Sequence, residues 1–182
     1  KIKVARSPWP DDVRRVAAIR AAVPDALLRL DANRGWSCDE ADHALAALAP
    51  LRIGLVEEPC GDPTTWRTLR RHGIPIAADE SVRTEADLDA TLARATADVV
   101  VVKPMLVGGL RRAVSMLRRA HDAGLGTVVT TSLGSGVGRR GALAVAAAGP
   151  ATLACGLDTG TWLASDPTPG PHITNGIARE PR

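Results

Sequence analysis

The sequence predicts an α/β fold, a (β/α) barrel, and three observations predict it. Short apolar runs recur seven times along 182 residues. Helix patterns with recognisable ends lie between them. Lys3, Asp31, Glu57, Asp79 and Lys103 close successive runs, 28, 26, 22 and 24 residues apart. One strand, one crossover helix and two loops need about 25–30 residues, so each step reads as one βα unit. A doubly wound sheet would more often put one glycine-rich phosphate loop after its first strand. Charge at the ends of successive strands is the barrel arrangement, because that face carries the active site.

The strand-like runs are KIKVA (1–5), ALLRLDAN (26–33), IGLVEEP (53–59), PIAADES (75–81), DVVVVKP (98–104), GTVVTTS (126–132) and ATLACGLD (151–158). Most lack strict alternation, as parallel strands covered on both faces do. Ser37-Cys38-Asp39-Glu40 is a capping box, with Ala41, Ala44, Leu45 and Leu48 on one helix face. Asp62-Pro63 gives an N-cap and an N1 proline, and Gly73 suits the C′ position. Thr84 and Asp87 open the next helix, with Leu88 and Leu92 inward. Leu110, Val114 and Leu117 line another, ended by Gly124, and residues 138–148 are Ala-rich and helical. From Asp166 onward four prolines and little periodicity predict an irregular tail. The expected division is therefore a barrel over 1–165 and a tail over 166–182.

Composition excludes several functions. Net charge is +3, from 23 basic and 20 acidic side chains spread along the chain, so there is no basic stripe for nucleic acid. With no Tyr or Phe there is no aromatic platform for stacking bases. No run approaches the ~20 apolar residues of a membrane span. KIKVARSP has no apolar signal region. Cys38, Cys60 and Cys155 lack CxxC spacing, which argues against a disulfide framework or a zinc site and for a reducing cytoplasm. The core must be Ala, Val, Leu and Ile, with Trp9, Trp36, Trp66 and Trp162 as the large fillers. The chain opens inside a strand, with a catalytic-looking residue at position 1, which suggests a fragment.

The charged strand ends carry chemistry. Lys1 and Lys3 share one strand face. Two neighbouring ammonium groups repel, which lowers the pKa of one or both and makes a usable base. Arg29 has the parity of Asp31 and would add to this effect. Asp31, Glu57 and Asp79 are three carboxylates that would leave about three octahedral Mg²⁺ positions for water or substrate. Parity does not choose between Glu57 and Glu58, or between Asp79 and Glu80. Lys103 ends a buried valine run, where plain structure rarely places a lysine. Thr131–Gly136, TSLGSG, precedes a helix, and its backbone N–H groups suit an anion. Gly156, Asp158 and Thr159 follow the last run.

These residues resemble the enolase superfamily, its muconate-lactonizing-like branch and, most closely, the o-succinylbenzoate synthases. The motifs are Lys1-Ile2-Lys3, Leu30-Asp31-Ala32-Asn33, Val56-Glu57-Glu58-Pro59, Ala78-Asp79-Glu80-Ser81 and Val102-Lys103-Pro104, with DANRGWS, EEPC, GLDT and HDAGL beside them. The resemblance runs from residue 1 to about residue 165. It implies a modified (β/α)₇β barrel with Mg²⁺, or Mn²⁺ in its place, held by Asp31, Glu57 and Asp79. By the same resemblance Glu57 is preferred to Glu58, and Asp79 to Glu80. Lys3 would be the general base, Lys1 its support, and Lys103 a cation that stabilises an enediolate. Asn33, Arg29 and Glu80 would stand behind these groups. Thr131, Ser132, Gly134, Ser135, Gly156 and Asp158 would hold the substrate's arm.

The implied reaction is syn dehydration of 2-succinyl-6-hydroxy-2,4-cyclohexadiene-1-carboxylate to o-succinylbenzoate, in menaquinone biosynthesis. The implied partner is a small-molecule carboxylate, with no nucleic acid and no membrane; the oligomeric state stays open. The family's N-terminal capping domain and first barrel strand are not visible in the sequence. A racemase of N-acylamino acids, a dipeptide epimerase or a cycloisomerase would use the same parts, and an inactive fragment is a further reading. Dipeptide epimerases usually carry Asp-x-Asp at the last strand, and Gly156-Leu157-Asp158 lacks the first acid.

Overall fold

The structure is a computed structural model and describes residues 1–179. Parallel strands alternate with helices, and six strands follow one another in one sheet in chain order. They are β1 (Ile2–Lys3), β2 (Leu28–Asp31), β3 (Ile53–Glu57), β4 (Ile76–Ala78), β5 (Val99–Val102) and β6 (Gly126–Val129). The helices are α1 (Trp9–Ala22), α2 (Cys38–Leu48), α3 (Trp66–Leu69), α4 (Glu85–Arg94), α5 (Leu110–Asp122) and α6 (Gly136–Ala148). The chain clusters into two compact units, one of residues 1–81 and 89–99 and the other of residues 82–88 and 100 onward.

In the first unit β1 pairs with β2, β2 with β3 and β3 with β4, all in parallel. Leu30, Val56, Ile76 and Ala77 are fully buried in these strands. The capping box of α2 forms as the sequence predicts: Ser37 accepts from the Glu40 N–H, and the Glu40 side chain accepts from the Ser37 N–H. Ala41, Ala44, Leu45 and Leu48 are its buried face. The Asp62-Pro63 start also forms, and Gly73 adopts φ +73° at the end. The helix between them breaks into a 3-10 turn, one α turn and another 3-10 turn. Helix α1 was not among the expected elements. Its signals are a proline at its start and Asp11 and Asp12 in its first turn. Trp36 and Trp66 fill the core, Trp66 with no exposed surface. Trp9 instead stacks on His43 at 5.9 Å.

The four valines of β5 are all buried, and Val100–Val102 belong to the second unit. Helix α5 turns Ala113, Met116, Leu117 and Ala120 inward. Leu110, expected inward, is 48% exposed, whereas Leu117 is fully buried as expected. Trp162, expected as a core filler, is 76% exposed.

Two expectations change here. Residues 151–158 do not form a seventh strand. The N–H groups of Thr152 and Leu153 donate to the Thr127 carbonyl, and Gly156 donates to the Val129 carbonyl. What results is an isolated parallel bridge, Thr130 to Gly156. The tail is not wholly irregular: β7 (His172–Thr174) and β8 (Ile177–Arg179) form an antiparallel hairpin. Its turn is Asn175-Gly176, with φ +51° and +75°, the left-handed pair that a two-residue hairpin needs.

Candidate active site

Register builds the first part of the site. Lys3 is the Cα partner of Asp31, and Asp31 is the Cα partner of Glu57. Glu57 is level with Ala77, and Asp79 stands two residues beyond. Side chains two apart on a strand share a face. Lys1 and Lys3, Asp31, Glu57 and Asp79 are thereby set on one side of four adjacent strand ends. The three acids are 2%, 3% and 3% exposed. Burying three carboxylates is costly unless positive charge accompanies them.

Two amines supply that charge. The Lys1 Nζ bridges Asp31 Oδ2 at 2.7 Å and Glu57 Oε2 at 2.5 Å. The Lys3 Nζ donates to Asp31 Oδ2 at 2.7 Å and to Asn33 Oδ1 at 2.6 Å. Burial works against the charge on Lys1. Attraction to Glu57 and hydrogen bonds to Asp31 and Glu57 outweigh it, and its pKa lies above the ordinary lysine value. The expected depression by its lysine neighbour is therefore not what Lys1 shows, because the carboxylates stand closer to it in effect than any like charge. Burial pushes Asp31 up, but hydrogen bonds from Lys1 and Lys3 overcome this and hold it low. Glu57 is raised, first by burial and further by the charges of Asp31 and Asp79, which attraction to Lys1 only partly offsets.

A third carboxylate network lies behind. Glu58 is fully buried and adopts φ +44°. Its Oε1 accepts from the N–H groups of Asp79 at 2.8 Å and Ser81 at 2.7 Å. Its Oε2 accepts from Arg34 Nε at 2.7 Å and Ser81 Oγ at 2.9 Å. Glu58 thus ties the end of β3 to the end of β4. Asn33 extends the connection, taking its own N–H to Asp31 Oδ1 at 3.0 Å and its Nδ2 to Glu80 Oε1 at 2.9 Å. The end of β1 is held by α1: fully buried Asp12 accepts from the Ala5 N–H at 2.7 Å, and Arg15 donates to both Asp12 and the Lys3 carbonyl at 2.6 Å. Ala5, Asn33, Arg34 and Glu58 are all left-handed, and each follows one of these strands. Non-glycine residues held there cost of order 1–3 kcal/mol each and concentrate at functional sites. Sequence reasoning gave no role to Arg34 or Ser81, although both lie in the motifs DANRGWS and Ala78-Asp79-Glu80-Ser81. It did not name Asp12 or Arg15, whose i,i+3 spacing was the local signal available.

The donor set suits a divalent cation. Three buried carboxylates at neighbouring strand ends are hard oxygen ligands suited to Mg²⁺. The Lys1 ammonium already bridges two of them as a stand-in positive charge. Among the described residues no three His, Cys, Asp or Glu groups stand at ready metal-binding spacing. Asp31 and Glu57 turn their oxygens onto amines instead. The residues fit a cation that displaces an ammonium.

The second unit holds Lys103 and the predicted residues from Thr131 to Asp158. Lys103 directly follows β5 and is half-buried. Thr131 is brought against the 156–159 loop: its N–H meets the Gly156 carbonyl at 2.9 Å and its Oγ1 meets Thr159 Oγ1 at 3.0 Å. Ser132 accepts from Thr159 Oγ1 at 3.0 Å, while Asp158 is exposed. Gly134 and Ser135 form the turn into α6. The Gly136 N–H, expected to meet an anionic ligand, is taken by Asp166 Oδ1 at 2.9 Å, and Arg139 holds the other oxygen at 2.8 Å. Arg29 is half-buried on β2, two residues before Asp31.

With this geometry in view, the comparisons decide the family. The model for "Enolase C-terminal domain-like" proteins matches residues 1–182. The chain belongs to the enolase C-terminal domain-like family. Its α/β fold is the TIM-barrel-like domain of that family. The chain is 42% identical to an o-succinylbenzoate synthase of Mycolicibacterium smegmatis over 171 residues, 91% of this chain and 52% of that protein. It resembles a dipeptide epimerase from Cytophaga hutchinsonii, complexed with Mg and the dipeptide D-Ala-L-Val, with TM-score 0.90 and 30% identity, over 99% of this chain and 51% of the other. The muconate lactonizing enzyme of Pseudomonas putida gives TM-score 0.89 at 26% identity, over 99% of this chain and 52% of the other. The chain spans about half the length of the curated relatives it matches. Among the described residues no helix is long and apolar enough to cross a membrane.

Proposed function

We propose that this chain carries the chemistry of a Mg²⁺-dependent o-succinylbenzoate synthase, removing water from 2-succinyl-6-hydroxy-2,4-cyclohexadiene-1-carboxylate on the way to menaquinone. The observation that carries this reading is the level row of Lys3, Asp31 and Glu57, with Asp79 one pleat further on. The identity to o-succinylbenzoate synthases favours dehydration over the other reactions of the superfamily. Asp31, Glu57 and Asp79 would hold the cation. When bound, it would fix the substrate carboxylate and offset the negative charge that builds there as the α-proton leaves.

The chain's own groups do the rest. The Lys3 amine, freed from Asp31, takes the α-proton. As an ammonium it returns that proton to the hydroxyl leaving from the same face, so water departs and the ring becomes aromatic. Asn33, within 2.6 Å of the Lys3 Nζ, orients the amine. Lys1 and Lys103 supply positive charge while the substrate is an anion. Thr131, Ser132, Gly134, Ser135, Gly156 and Asp158 are proposed to bind the succinyl arm. A cytoplasmic location follows from this role.

The test is turnover of the cyclohexadiene acid by the protein with Mg²⁺, read as the absorbance change on aromatisation, beside exchange of the α-proton with solvent deuterium. Lys3→Ala is expected to lower both by about 10²–10⁴. Exchange that persists in the variant moves the base elsewhere. Epimerisation of dipeptides without dehydration would favour the second reading, which the likeness to the Cytophaga hutchinsonii enzyme supports.

A further inference from the structure

Cys38 and Cys60 lie 22 residues apart in sequence, yet their sulfurs approach to 2.8 Å. A disulfide bond is about 2.05 Å long, so the pair stands within about 1 Å of bonding distance. Neither backbone is held there by the sulfurs. Cys38 is the first residue of α2, fixed by the Ser37–Glu40 capping box. Cys60 is pinned by a parallel bridge to Trp36 and by the Trp66 Nε1, which donates to its carbonyl at 3.2 Å. Thr65 Oγ1 touches both sulfurs at 3.4 Å. Among the described residues no third His, Cys, Asp or Glu completes a metal shell with them. The neighbours leave thiol chemistry rather than metal binding.

We propose that Cys38 and Cys60 are a reversible oxidation site, a dithiol that a peroxide or a small-molecule disulfide closes to a bond between the start of α2 and the loop after β3. Cys38 is half-buried and Cys60 is fully buried, so Cys38 meets the oxidant first. Its sulfur attacks the peroxide: the S–O bond forms, the O–O bond breaks, and one water leaves. The Cys60 sulfur then attacks Cys38 Sγ, the S–S bond forms, and the S–O bond breaks. The hydroxyl departs as a second water with the Cys60 proton. Two thiols lose two electrons and two protons, and the peroxide becomes two waters. The bond would fasten together the loops that carry Asn33 and Glu58. Burial raises the Cys60 thiol pKa, and the neighbouring Cys38 adds to this, so the unoxidised Cys60 rests as a thiol.

The experiment treats the purified chain with one equivalent of hydrogen peroxide or with diamide, then with maleimide under denaturing conditions. The expected product is lighter by about 2 Da before labelling, the two hydrogens lost. It takes one maleimide, on Cys155, instead of three. Trypsin then releases peptides 35–52 and 53–67 joined, and dithiothreitol separates them. The oxidised form is expected to melt above the reduced form, and Cys38→Ser to abolish the link, while Cys155→Ser keeps it. Three labelled thiols after oxidant, sulfinic acid on Cys38 without a cross-link, or dimers through Cys155 would overturn the site. A joined product that melts below the reduced protein would overturn the claim that the fold presents the sulfurs ready to bond.

Discussion

Glu58 does more for the site by its contacts than by its charge. Its carboxylate accepts four hydrogen bonds, two of them from backbone N–H groups of the strand end that carries Asp79. Glu58→Gln keeps the volume but exchanges an acceptor for a donor beside Arg34. Breaking such a buried pair leaves groups unpaired, and we expect a loss of about 2–4 kcal/mol, read as a lower urea midpoint with an unchanged slope. The ligands themselves should behave differently. Glu57→Gln is expected to weaken Mg²⁺ or Mn²⁺ binding by more than the ~10–100-fold that loss of an outer partner costs. Calorimetric titration of the metal measures this without turnover. An unchanged affinity would remove Glu57 from the ligand set. The sequence offered Glu57 and Glu58 as equals by parity. The fold separates them, because Glu58 leaves the strand in a left-handed conformation and turns behind the sheet's edge. No local pattern announces that turn.

Elements were legible where their ends carry their own chemistry. The capping box of α2 needs only residues 37–40, and it formed where it was read. Ser37→Ala should cost about 1 kcal/mol, measured by thermal or urea unfolding; no change would mean that the cap is satisfied by other contacts. The Asn175-Gly176 turn was equally local, and a strand on each side of it was there to be found. The prolines before it favour irregular backbone, and the turn forms its hairpin beyond them. Residues 151–158 failed as a strand for another reason. An apolar run supplies the propensity, but a ladder needs a neighbour in register, and only Gly156 finds one. The inward face of α5 was legible only in part, by the same limit: Leu117 is buried as expected, but Ala113, Met116 and Ala120 join it in place of Leu110.

Across the whole chain, acid stability should follow a few aspartates. Asp42 is held below the usual carboxylate range by its hydrogen bond to His72 and then by Arg71. Asp166 is held low by the Gly136 N–H and then by Arg139. Asp62 and Asp87 are also low, through bonds to Thr64 and Thr84. For each, the unfolded chain takes up the proton first as pH falls. Their contribution is complete above the unfolded value near about 3.9 and fades as pH drops through the lower folded values. Glu57 runs the other way: its raised value means that protonation favours the fold as pH falls through it. We expect the melting temperature to fall below pH ~4, and Asp166→Asn to flatten part of that fall. A variant with the same acid limb would remove Asp166 from the account.

The residues alone determined that βα units repeat, that five successive repeats end in charge, and which family such an order resembles, because spacing and strand polarity are properties of the chain itself. Tertiary structure decided the rest. It set Lys3, Asp31 and Glu57 level, gave the buried acids their amines, turned Glu58 behind Asp79 and brought two cysteines together. Each of these depends on register between strands and on backbone turns at their ends, and neither is written into any short stretch of sequence.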